Sequence, residues 1–104
     1  MSLDEFISAI RNKKKVRVIF FSKEDKETIT RKCAPMDYGP SRRTKGKNER
    51  FHLWDYESAT KNHTLSLSPQ QVEKIEILDE TFDPAEFVTW KTDWIISRDW
   101  GTFS

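Results

Sequence analysis

The side chains able to do chemistry in this chain are few. His52 and His63 are the only histidines and Cys33 the only cysteine. The G-x-S-x-G nucleophile elbow is absent, and so is the P-loop spacing of glycines followed by lysine. His52, His63 and a carboxylate such as Asp55 are the right donor types for a metal, but their spacing matches no zinc-ligand pattern. Neither a metal nor a cofactor is therefore expected. A lone cysteine excludes an intrachain disulfide framework and a cysteine-rich zinc site, and Cys33, two strand steps from Ile29, reads as a small core residue. With no acid–base pair and no activated nucleophile, the chain reads as a non-catalytic protein.

Binding chemistry is better represented. Arg31 has the planar fork that pairs bidentately with phosphate or carboxylate, and Trp54 and Tyr56 offer rings on which a base can stack. With His52 and His63 on neighbouring strands, these five residues form the candidate ligand-binding set, suited to a small anionic ligand. The plainer reading of Arg31 is a salt bridge to a strand neighbour. Two basic clusters form a second candidate set: Lys13, Lys14, Lys15 and Arg17, and then Arg42, Arg43, Lys45, Lys47 and Arg50. Interleaved with Tyr38, Phe51 and Trp54, they are the ingredients of a single-stranded nucleic-acid surface. Their plainer reading is a helix end that complements the dipole and a solvated loop.

The elements that must position these residues follow from periodicity. Leu3, Phe6, Ile7 and Ile10 lie on one helix face, which predicts a short amphipathic helix over residues 3–12 with Ser2 and Glu5 as its capping box. Strands are expected at 16–21, 28–34, 50–56, 63–67 and 72–78, where β-branched and aromatic residues alternate with polar ones. Ile29, Arg31 and Cys33 share one face of the second strand, and Pro35 is expected to end its regular pairing. On the third, Phe51 and Leu53 take one face while His52, Trp54 and Tyr56 take the other. Residues 38–48, with Gly39, Pro40 and Gly46, read as a long loop. Five short strands with close turns suggest a small sandwich or barrel, its open end plugged by the helix.

Length and composition agree with this picture. The 104 residues suit one domain, and 36% hydrophobic against 34% charged residues leaves a small core, compensated by thirteen aromatic side chains. The formal charge of +1 hides a gradient: residues 1–50 carry a net of +7, residues 51–72 a net of −1, and residues 73–104 a net of −5. No apolar run approaches the roughly 20 residues that cross a bilayer. Asp4 and Glu5 stand where a signal peptide would be basic, so a cytoplasmic protein with no membrane partner is expected.

The order of features from Ile10 to Phe82 resembles the WYL domain, a bacterial regulatory module. Phe20 and Phe21 stand where that family has a hydrophobic strand ending in tyrosine, and the run Thr30 to Pro35 is similar to its arginine-x-valine-x-proline strand. Phe51, His52 and Leu53 fall at the tryptophan-tyrosine-leucine triplet, and Val72 to Phe82 resembles the last strand with its closing phenylalanine. The resemblance implies a mainly β (α+β) fold, an N-terminal helix followed by a five-stranded Sm-like, SH3-type small barrel, over residues 1–82. It also implies a ligand-sensing or regulatory role, linked in the family to transcription or phage defence. At the positions of the family's basic ligand pocket this chain has His63, Leu65, Ser66 and Gln71, and Arg31 is the basic residue retained.

Residues 83–104 form a separate C-terminal extension. Trp90, Trp94 and Trp100 with Ile95, Ile96 and Phe103 are too apolar for a solvated tail. The segment either packs on the barrel or joins two protomers in a homodimer, since tryptophan is enriched at interface centres. Three functions thus compete: a stand-alone WYL-like ligand sensor, a nucleic-acid-binding protein using the loop 42–50, and an assembly subunit using the tryptophan-rich tail.

Overall fold

The computed structural model describes residues 3–40, 49–57 and 64–104. The architecture is mainly β, one N-terminal helix followed by five antiparallel strands, as the sequence predicts. Helix α1 spans Leu3–Asn12 and buries Phe6, Ala9 and Ile10, while Leu3 stays exposed at its start. Asp4 and Glu5 in the first turn and Arg11 in the last complement the helix dipole. The helix ends on Lys13, whose φ of 56° is the left-handed conformation that closes many helices. Its carbonyl then accepts from the Phe82 N–H at 2.8 Å, tying the helix exit to the end of the last strand. Ser2, expected as the cap, lies outside the described residues.

The strands are β1 (Lys14–Ser22), β2 (Glu27–Pro40), β3 (Glu49–Asp55), β4 (Thr64–Leu67) and β5 (Val72–Thr81), arranged in the order β4-β3-β2-β1-β5. Strand β2 pairs with β1 through Glu27–Cys33 and with β3 through Cys33–Pro40. One long strand therefore serves two neighbours with its two halves. The inward residues of the first half are those expected: Ile29 lies opposite Phe20, Arg31 opposite Val18 and Cys33 opposite Val16.

Strand β2 also corrects the sequence reading. Pro35 does not end the pairing, and residues 38–40 are strand instead of loop. Beyond Cys33, β1 no longer accompanies β2, so the strand is bonded on one side only. The absent donors at Pro35 and Pro40 then break no ladder on the free side. A register shift between Pro35 and Asp37, where Met36 is the extra residue, re-aims the strand.

Val16, Val18, Phe20, Cys33, Leu53 and Ile75 form the centre of the core, each at most 5% exposed. The C-terminal segment joins the same cluster through Phe87, Val88 and Trp100. Asp83 caps a single 3₁₀ turn at Pro84–Glu86 with a reciprocal capping box. Trp100 is 3% exposed, and its indole N–H donates to the Ile10 carbonyl at 2.8 Å.

The main anchor of this segment is ionic. Asp37 accepts from the backbone N–H groups of Ile95 and Ile96, both at 2.9 Å, and from the Arg98 guanidinium at 3.2 Å. Arg98 also donates to the carbonyls of Met36 and Ile96, and its side chain is wholly buried. Its guanidinium carbon lies 4.3 Å from the ring centre of Trp94 and 4.5 Å from that of Trp100. Burial lowers the Arg98 pKa to about 10 against the opposing pull of Asp37, which leaves it cationic at neutral pH. Ile95 covers Gly39, whose φ of 152° and lack of a Cβ are both required there: a Cβ would collide with Ile95 Cδ1.

Removing one member of a buried pair strands the other. Asp37→Ala is expected to cost about 3–5 kcal/mol of unfolding free energy. Arg17→Ala, which breaks a pair whose side chains are 45% and 38% exposed, is expected to cost less than about 1 kcal/mol. Urea titrations of both variants against wild type check the contrast.

Candidate functional site

Successive side chains of a strand point to opposite faces, and this rule divides the candidate ligand set. Asp55 lies opposite Cys33, so it points inward with Arg31, and Arg31 Nε meets Asp55 Oδ2 at 3.5 Å. His52, Trp54 and Tyr56 take the outward face. Arg31 therefore does not share a surface with the aromatic residues, and its guanidinium is engaged by an inward carboxylate. His63 lies outside the described residues. His52 and Asp55, two of the three residues weighed as metal donors, also point to opposite faces. Among the described residues no group of three His, Cys, Asp or Glu side chains gathers to hold a metal ion.

His52 is held at both nitrogens. Nε2 lies 2.9 Å from the Gly39 carbonyl and Nδ1 lies 2.9 Å from Ser66 Oγ. A carbonyl can only accept, so Nε2 carries the proton and the Ser66 hydroxyl donates to Nδ1 in the neutral ring. One imidazole thereby cross-links β2, β3 and β4, which is a structural use. Gln71 is likewise structural. Its side chain accepts from Ser68 and donates to the Phe21 carbonyl at 3.1 Å, joining the β4–β5 turn to β1.

Trp54 and Tyr56 form the centre of a more promising surface. Tyr56 extends the outward row beyond β3, with its N–H bonded to the Lys32 carbonyl at 3.1 Å. Lys15 Nζ sits 4.7 Å from the Tyr56 ring centre, a cation–π contact. Lys32 shares this outward face, and the two ammonium groups meet one carboxylate: Glu80 Oε1 is 2.8 Å from Lys32 Nζ and Oε2 is 3.7 Å from Lys15 Nζ. The two lysines hold the Glu80 carboxyl below its ordinary pKa, the Lys32 hydrogen bond contributing most. Phe87 completes the surface, stacked on Trp54 at 5.4 Å with an interplanar angle of 16° and edge-on to Tyr56 at 6.4 Å. Sequence reasoning missed Lys32, Glu80 and Phe87. Lys32 was legible from strand alternation, whereas Glu80 and Phe87 reach the site only through the path of β5.

The described basic residues of the second candidate set each have a separate place in the fold. Lys13 forms the helix exit, Lys14 Nζ donates to the Asp79 carbonyl at 3.3 Å, and Arg17 Nη1 meets Glu76 Oε2 at 3.4 Å. Arg50 lies on β3 opposite Gly39. Arg42, Arg43, Lys45 and Lys47 lie outside the described residues. Cys33 is fully buried, and burial together with the nearby Asp55 and Glu57 carboxylates pushes its thiol pKa far up. A thiol so placed carries almost no thiolate and is a poor nucleophile.

The Tyr56 hydroxyl is buried and has no hydrogen-bond partner among the described residues. Burial, reinforced by Glu86, raises its pKa from 10.0 to about 12. The folded state thus keeps a proton that the unfolded chain releases. This stabilisation is complete below pH 10 and is lost as pH rises towards 12. Tyr56→Phe is expected to leave stability at pH 7 unchanged or raise it by about 1 kcal/mol. It should also flatten the fall in stability between pH 10 and 12, read from urea midpoints across that range.

Compared with known proteins, the chain matches no family model, and no curated protein or solved structure matches it significantly.

Proposed function

We propose that this chain is a non-catalytic, WYL-like ligand-binding module whose ligand is a planar ring bearing an anionic group. The observation that carries this reading is the juxtaposition of the half-buried rings of Trp54 and Tyr56 with Lys15 and Lys32 on the sheet face opposite Arg31 and Asp55. A ring stacks on an aromatic face with little regard to its identity, and two ammonium groups beside it attract phosphate or carboxylate. The remaining reactive types support a binding role over catalysis: Cys33 is buried, and both nitrogens of His52 are engaged. The candidate set is thereby redrawn. Trp54 and Tyr56 stay, Lys15 moves from the nucleic-acid set, Lys32 is added, and Arg31 and His52 become structural.

Adenosine 5′-monophosphate is the minimal probe, with adenosine and ribose 5-phosphate as controls lacking one half of the chemistry. Calorimetric titration is expected to show binding of the nucleotide, weaker binding of either control, and affinity that falls with salt. Trp54→Ala should remove about 1–3 kcal/mol of binding free energy. Equal affinity for all three probes, or none for any, would overturn the reading.

A further inference from the structure

The ligand surface already has an occupant from its own chain. Glu80 presents a carboxylate to Lys15 and Lys32, and Phe87, seven residues later, presents a ring to Trp54. These are the two chemical halves of the proposed ligand, an anion and a stacked ring. We propose that the segment from Glu80 to Val88 is a built-in competitor, and that ligand binds only when it is displaced. This inference rests on the reading of the surface given above.

Phe82, Phe87 and Val88 are buried in the core cluster, and three features add to that packing. First, two ammonium groups share the Glu80 carboxylate, which is 53% exposed and so open to exchange with an incoming anion. Second, the segment leaves the Tyr56 hydroxyl sealed without a partner. A buried donor in that state costs free energy, and a ligand with an acceptor at that point recovers it. Third, beyond Thr81 the chain makes no ladder, and the backbone N–H groups of Phe87 and Val88 both close the local 3₁₀ turn on the Pro84 carbonyl, so the Phe87 ring meets the sheet through side-chain contacts. The stretch that must move, residues 83–88, lies between two ties, the Phe82–Lys13 bond and the Asp37–Arg98 cluster, while Glu80 stays in β5 and yields only its side chain. Displacement therefore needs movement only between fixed points.

A competitor reduces apparent affinity by the fraction of molecules in which the surface is free. The test measures adenosine 5′-monophosphate and a short oligoadenylate against wild type, Glu80→Gln, and Glu80→Gln/Phe87→Leu. Glu80→Gln alters an exposed side chain and keeps the core, so it serves as the variant that must fold. Far-UV circular dichroism and a cooperative melt establish this for both variants. Expected is tightening with Glu80→Gln, and by about tenfold or more with the double variant, the factor set by how much of the population the segment closes. The two probes separate a free nucleotide from a strand as the natural source of the ring and phosphate. Equal binding by wild type and folded variants overturns the competitor while leaving the surface reading intact. Absence of binding in wild type and both folded variants overturns the surface reading, and the competitor with it.

Discussion

The ion pair between Asp37 and Arg98 is the constraint on which the C-terminal fifth of the molecule depends. Both side chains are withdrawn from water, and desolvation of two charges is expensive unless their remaining bonding capacity is filled. Here it is filled: the carboxylate takes two backbone N–H groups besides the guanidinium, and the guanidinium takes the carbonyls of Met36 and Ile96. The rings of Trp94 and Trp100 complete the enclosure with their electron-rich faces. The cluster also fixes geometry, because a planar fork and a carboxylate accept few orientations. A segment with no strand ladder of its own is thus held in one path by side-chain bonding.

That path depends in turn on the irregularity of β2. The register shift at Met36 sets Asp37 opposite His52, so the carboxylate that binds the tail and the imidazole that ties three strands together belong to one pair. Gly39 follows two residues later, bare enough to admit Ile95 and bonded through its carbonyl to His52. The second half of β2 is therefore a junction between sheet and tail. The same path brings Phe87 over Trp54, so the anchor at Asp37 and the ring stacked on Trp54 are two ends of one arrangement.

How much of this was legible in the sequence varies with the kind of signal. The helix and five strands follow from periodicity because a period of 3.6 or 2 is a local property. The inward set of Ile29, Arg31 and Cys33 follows for the same reason. Pro35 misled because a proline limits a strand only where both sides are bonded, and which side is bonded depends on the length of the neighbouring strand. Asp37 gave no signal, since its partners lie about sixty residues away in sequence. The grouping of Arg31 with the aromatic residues failed for a related reason: face is set by register between strands, which no single strand's alternation reveals.

Charge makes the same point most directly. Along the chain the first fifty residues are basic and the last thirty-two acidic, which invites the reading of a basic face. The strand order β4-β3-β2-β1-β5 places β5 beside β1, so the acidic part of the chain lies against the basic part. Arg17 meets Glu76, while Lys15 and Lys32 meet Glu80. Among these pairs the opposed charges cancel across a ladder whose register is fixed by the core residues facing inward. The densest meeting point is the shared carboxylate, where two lysines converge on Glu80, with Glu57 at the Lys32 N–H and Glu86 near Tyr56. This cluster lies beside Tyr56 and Trp54, so the two lysines border the half-buried aromatic rings. Under the reading proposed above, an anion attached to a flat ring meets both the lysines and the rings, whereas a bare anion or a bare ring meets only one.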